Sequence, residues 1–234
     1  MKIGIMQPYI FPYIGYFQLI NAVDKFVIYD NIQFTKKGWI NRNRLLLNGK
    51  DEYFTLPLKN DSDFLNVNER ELSTDWLKEK TKILNKIKEN YKKAPYFNEV
   101  YNLVESNFNF ENLNLFDFIL NALKNTLNYL TIKTEIVVSS TLAINHSLKA
   151  EEKVIAICKA LNAETYINPN GGIELYSKEH FLNEGIKLNF IKANNCVYKQ
   201  LNNEFIPFLS IIDVMMFNSK EETKKMIEKE YVLI

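Results

Sequence analysis

A chain of 234 residues with 47% hydrophobic and 24% charged side chains has enough apolar material for one substantial core. Its 29 basic and 28 acidic residues leave a formal charge of +1, which provides no global field for nucleic acid or an anionic membrane. Two cysteines are too few to staple a fold of this size, and two histidines in separate segments argue against a metal centre.

The opening residues are too short an apolar run for a signal peptide, and no run is long enough to span a bilayer. The expected location is cytoplasmic, without membrane insertion. Ile3–Met6 reads as a buried strand that breaks at Gln7-Pro8. Apolar residues at helical spacing then predict a helix from about Tyr13 to Val23, and Phe26–Tyr29 reads as a second buried strand, parallel to the first. A strand is predicted over Tyr53–Leu58, held to an edge or an end by Pro57. Helices follow near Asp75–Lys93, Asn98–Ser106 and Leu115–Leu130. Strands are predicted at Glu135–Val138, Thr165–Ile167 and Lys187–Ile191, with helices at Glu151–Leu161 and Lys178–Glu184 between them. The tail from Pro207 to Lys229 reads as helical. This alternation predicts a single α/β domain over residues 1–234 with an open, mostly parallel sheet and a helical insertion at 75–132.

Polar groups cluster after the early strands, the place where open α/β sheets hold ligands. Gln7 sits at the carboxyl end of a buried strand, where its amide needs a partner. Tyr9, Tyr13 and Tyr16 either pack the strand-to-helix turn or face a ligand, and Gly15 permits close approach at the helix start. Asp30, Gln33, Lys37, Trp39, Asn41, Arg42 and Asn43 bring an acid, amides, cations and an indole into fourteen residues. That mixture suits a polar, ring-shaped guest such as a nucleotide-linked sugar. Arg42 can clamp a phosphate or pair with Asp30, and Trp39 can stack on a ring or enter the core. Ser139 and Ser140 cap a helix or line the same crevice, while Asn170 and Gly171 lie in a turn whose amides can cradle an anion or simply turn the chain. Asp213, between Ile212 and Val214, reads as a buried structural carboxylate. Neither a Walker sequence, a dinucleotide glycine fingerprint nor a nucleophile triad is present. Enzymatic chemistry here would rest on positioning, with Asp30 as the candidate base and Gln7 beside it.

The strings IMQPYIFPYIGYF, DKFVIYDNIQFTKKGWINRN, YKKAPYF, ICKALNAETYI and FLSIIDVMMFN, in that order, resemble the WbqC-like protein family over nearly the whole chain. One departure is Asn194-Asn195-Cys196, where that family tends to carry His and Pro. The resemblance implies a role in surface-polysaccharide (O-antigen or lipopolysaccharide) biosynthesis: a transferase forming an amide on a nucleotide-linked amino sugar by acyl or glycyl transfer. The implied co-substrate is an activated acyl donor, or an adenylate made from ATP. A non-catalytic nucleotide-sugar-binding protein is the alternative. The layout of Phe11–Tyr16 also resembles the nucleotidyltransferase and pantothenate-synthetase superfamily, which implies a Rossmann-like fold. Tyr13 and Tyr16 stand where those proteins carry histidines, and tyrosine cannot supply their positive charge; nucleotidyl transfer is the third reading.

Overall fold

Short apolar runs alternating with amphipathic segments assemble one central sheet with helices on both faces. The computed structural model describes residues 1–194, 196–201 and 204–234, so Asn195 of the departing loop lies outside the described residues. In chain order the elements are β1 (Lys2–Met6), α1 (Ile14–Asn21), β2 (Lys25–Ile28), β3 (Arg42–Leu47), β4 (Lys50–Thr55), α2 (Trp76–Tyr91), α3 (Phe97–Phe108) and α4 (Leu115–Tyr129). They continue with β5 (Glu135–Val138), α5 (Ala150–Ala160), β6 (Thr165–Pro169), α6 (Lys178–Asn183), β7 (Lys187–Ala193), α7 (Ile211–Phe217), α8 (Lys220–Lys229) and β8 (Tyr231–Leu233).

The sheet order is β5-β2-β1-β6-β7-β8, with every pair parallel except β7 and β8. From β1 the chain first builds outward through β2 and β5, then crosses back to place β6 and β7 on the other side. The strand order therefore reverses between β1 and β6, and crevices open at such a point beyond the strands' carboxyl ends.

Alternate side chains of each strand enter different cores. Ile3, Ile5, Val27, Tyr166, Leu188 and Phe190 pack with Val154, Ile157 and Cys158 of α5 and Phe181 of α6. Phe26, Ile28, Ile167 and Ile191 point the other way, into a larger core shared with α1, the three middle helices and α7. Burial on both faces explains why these strands read as continuous apolar runs. Each fully buried Phe or Ile contributes about 1.5–3 kcal/mol, so the two layers together outweigh any surface ion pair.

Two local differences from the sequence expectations have plain causes. The strand expected at Tyr53–Leu58 is β4, which ends at Thr55 and pairs antiparallel with β3. Asn48-Gly49, with φ of +53° and +76°, supplies the two left-handed residues that such a two-residue hairpin needs. The helical tail is split into α7 and α8 because Ser219 caps α8, accepting from the Glu222 N–H while the Glu222 carboxylate accepts from the Ser219 N–H.

The turn from β1 to α1 is bound tightly to the hairpin and to α7. Phe11 adopts a left-handed φ of +41°, a strained conformation for a bulky residue. Its carbonyl accepts from Asn43 Nδ2 at 2.5 Å and from the Ser210 hydroxyl at 2.7 Å, and Ile10 N–H donates to Ile40 at 3.0 Å. These bonds hold the turn in place and fix where Gln7 leaves the sheet.

Candidate functional site

Beyond the carboxyl ends of β1 and β6 lies a cleft of about 960 Å³. Its sheet side is formed by Met6, Gln7, Tyr29, Tyr166 and Asn168. The loop from His146 to Lys149 and the opening residues of α5, Ala150 and Lys153, form a second wall. Gly171, Gly172, Leu175 and Tyr176 form a third, and Asn31, Ile32 and Gln33 complete the lining. The volume suits a ligand of nucleotide-sugar size.

Gln7 is half-buried, and its side-chain amide makes no hydrogen bond among the described residues. Its backbone carbonyl accepts from the Tyr16 hydroxyl at 3.1 Å, which fixes the residue while leaving the amide free toward the cleft. Lys153 is 3% exposed, and its ammonium donates to the His146 carbonyl at 3.2 Å and lies 4.9 Å from the Tyr29 ring centre. Burial pushes that ammonium's pKa down, and the nearby Asp30 charge draws it partly back up. The His146 ring bridges Asn31 Nδ2 and the Leu142 carbonyl; a proton on Nε2 satisfies both contacts.

Asn168 is buried with its Oδ1 accepting from the Tyr166 hydroxyl at 3.0 Å. It packs directly on Gly172, where an added Cβ would sit 2.0 Å from Asn168 Nδ2. Gly172→Ala is therefore expected to push Asn168 off Tyr166 and to cost about 1–3 kcal/mol of stability, read from urea melts.

The expected site residues separate into three groups. Gln7, Gln33 and Gly171 line the cleft; Gln33 is exposed and donates to the Asp63 carbonyl, and Asn170 is the exposed neighbour of Gly171. Asp30 stands behind that wall, 1% exposed and outside the lining. It accepts from Asn68 Nδ2 at 2.8 Å, from the Ser140 N–H at 2.9 Å and from the Ser139 hydroxyl, which it shares with Asn31 Oδ1. Ser139 and Ser140 open a short 3-10 turn and are held by this carboxylate rather than facing the cleft. With three protein donors on its carboxylate and no place in the cleft lining, Asp30 serves as a structural hub that ties β2 to the Ser139–Ser140 turn and to Asn68.

The third group lies away from the cleft. Tyr9 and Tyr16 are buried, with rings 5.3 Å apart, and the Tyr9 hydroxyl accepts from the Tyr13 N–H. The close approach at Gly15 is made by Tyr13 itself, whose ring would lie 2.4 Å from a Cβ there. Asn41 and Asn43 are spent on backbone carbonyls of Leu56, Ile10 and Phe11. Arg42 forms no pair with Asp30; it donates to the Gly38 and Lys37 carbonyls, and Lys37 itself is exposed with φ of +63°. Trp39 is 39% exposed and tilts against Tyr53, with Arg42 4.8 Å from the Tyr53 ring centre. This aromatic and cationic platform is a surface of the hairpin. Of Gln7, Asp30 and Arg42, expected to meet one guest, only Gln7 reaches the cleft.

Lys153 and the His146–Lys149 loop have no counterpart among the residues expected from the sequence, whereas Asn168 opens the turn expected to cradle an anion. One signal was present: Lys153 falls on the apolar stripe of α5, four residues before Ile157 and next to Val154, where a solvated lysine does not belong.

Among the described residues no helix is long and apolar enough to cross a membrane. No solved structure gives a significant match to the chain. It is 30% identical over 226 residues to Uncharacterized protein Rv1507c of Mycobacterium tuberculosis, a match spanning 93% of each chain. Residues 7–225 match the WbqC-like protein family, so an unpartnered Gln7 at the end of β1 and the cleft it opens onto lie in a chain that belongs to that family.

Proposed function

We propose that the protein is a transferase that forms an amide on the amino group of a nucleotide-linked sugar, binding that sugar in the cleft between β1 and β6. The observation that carries this reading is the cleft itself: about 960 Å³, at the point of strand reversal, with a free amide on Gln7 and three tyrosine rings in its walls. The strand order supports a Rossmann-like reading of the fold. Family membership supports a role in decorating a surface glycan.

In such a reaction the neutral amine attacks the acyl carbonyl, a C–N bond forms, the thiolate or adenylate leaves with the electron pair, and the amine's proton passes to water. Gln7 supplies both a donor and an acceptor to orient the amine and the carbonyl. Asp30 acts at one remove by holding the Ser139–Ser140 turn. Nucleotidyl transfer gains no support from Tyr13 and Tyr16: neither lines the cleft, and burial raises both phenol pKa values above their ordinary range.

The test is incubation with UDP- or dTDP-linked amino sugars, with either an acyl thioester or glycine plus ATP as donor, followed by mass. An acylated sugar is expected, and Gln7→Ala is expected to lower kcat/KM about tenfold or more while the melting temperature holds. Absence of product with every donor would reject the reaction. A non-catalytic binder is the second reading, favoured by Asp30 accepting three protein donors outside the cleft lining; it requires tight nucleotide-sugar binding without turnover.

A further inference from the structure

We propose that Lys153 is the receptor for the anionic diphosphate portion of the ligand, seated between its ammonium, the opening turn of α5 and the Asn168–Gly172 turn. This inference rests on the cleft being the ligand site but not on the reaction assigned to it. Two observations support it.

The first is charge. The chain carries 29 basic and 28 acidic residues, yet the cleft is lined by Lys149 and Lys153 with no Asp or Glu at all. A balanced protein that places only cations among the charged residues of this crevice is matched to an anionic guest. The second is the state of Lys153. Some surface lysines stand beside carboxylates, as Lys25 does to Glu135 at 2.9 Å and Lys59 to Glu71 at 3.1 Å, and others extend into solvent. Lys153 is buried with one carbonyl acceptor and an aromatic face, and no carboxylate lies within salt-bridge distance. An ammonium so held is under-compensated, and a ligand phosphate supplies what the protein does not.

The surrounding charges are consistent with this. Asp30 is the nearby acid, and its oxygens are turned to Asn68, Ser139 and Ser140. Glu151, in the first turn of α5, is directed at the Ser177 N–H and His180, and Glu152 also lies near His180. The Lys149 side chain is exposed at the rim, and no side chain caps the start of α5. Leading N–H groups of a helix favour an anion, which adds to the lysine rather than replacing it.

The test uses calorimetric titration with inorganic pyrophosphate, UDP, dTDP and the matching nucleosides, on wild type, Lys153→Met and Lys153→Arg. Wild type is expected to bind pyrophosphate and both diphosphates more tightly than the nucleosides. Lys153→Met is expected to lose tenfold or more in affinity for the phosphorylated ligands and nothing for the nucleosides, while Lys153→Arg keeps most of it. Methionine fills the same volume without charge, so Lys153→Met is expected to melt at or above the wild-type temperature. Unchanged pyrophosphate affinity in Lys153→Met would overturn the proposal, as would a wild type that ignores pyrophosphate and both diphosphates. A Lys153→Met protein that melts far below wild type yet retains diphosphate binding would overturn it too, marking the lysine as structural. Turnover is not part of the readout: Lys153-dependent diphosphate binding without acylated product rejects the reaction and leaves this assignment standing.

Discussion

Replacing Asp213 with alanine is expected to destabilise the protein by about 3–5 kcal/mol, the largest loss from any single polar substitution considered. Asp213 is fully buried in α7 and accepts from Tyr91 at 2.7 Å, Tyr198 at 2.6 Å and Gln200 Nε2 at 2.8 Å. The Tyr91 hydroxyl in turn accepts from the Leu46 N–H of β3 at 2.7 Å. One carboxylate therefore joins α7, α2, the hairpin and the segment around Tyr198, and alanine leaves those donors buried and unmet. The melting temperature is expected to fall by roughly 6–20 °C for a chain of this size.

The pH dependence has a definite sign. Burial raises the Asp213 pKa above the ordinary value, against the lowering effect of its three donors. Between the unfolded value of about 3.9 and the raised folded value, the folded state holds the extra proton. This group's contribution to stability is thus complete below the unfolded pKa and declines as pH rises through the folded one. Asp213→Asn is expected to flatten that segment of the stability-versus-pH curve, and an unchanged slope would count against the assignment.

The second large effect is expected at Asp30. Asp30→Ala removes the acceptor for Asn68 Nδ2 and the Ser140 N–H, leaves Ser139 with only Asn31, and withdraws the nearby negative charge from Lys153. A loss of about 2–4 kcal/mol in denaturant melts is expected. Asp30→Asn is expected to recover most of it, because its Oδ1 still serves Ser140 and a flip of the Asn68 amide restores the other bond. Kinetics separates the hub from a catalytic base. A base replaced by an amide in an intact fold loses on the order of 10²–10⁴ in rate, whereas a hub replaced by a near-isostere loses little. A folded Asp30→Asn protein devoid of turnover would show that the carboxylate takes the proton after all.

The frame of the fold was legible because its signals are local. Glu135–Val138 is a strand as expected, and helical spacing located α2, α3 and α4 to within a few residues. The hairpin was less clear, since Arg42 and Asn43 looked like part of a polar ligand loop and only the three leucines Leu45–Leu47 precede the Asn48-Gly49 turn. The site was legible at Gln7, whose strand-end position is fixed by β1, and in part at Gln33 and Gly171, which also line the cleft. Arg42 and Asp30 could not be assigned from the sequence, because their partners are backbone carbonyls and distant residues such as Asn68 and Ser140. Lys153 was hidden for the complementary reason: it joins Gln7 only because α5 carries the chain back across the sheet to β6, 147 residues after β1 ends.

A crystal structure of the protein grown with dTDP or UDP tests the central claim most directly. The diphosphate is expected beside Lys153 and the Asn168–Gly172 turn, with the Gln7 amide facing the open remainder of the cleft. A nucleotide stacked instead on the Trp39–Tyr53 platform beside Arg42, with the cleft between β1 and β6 empty, would contradict it.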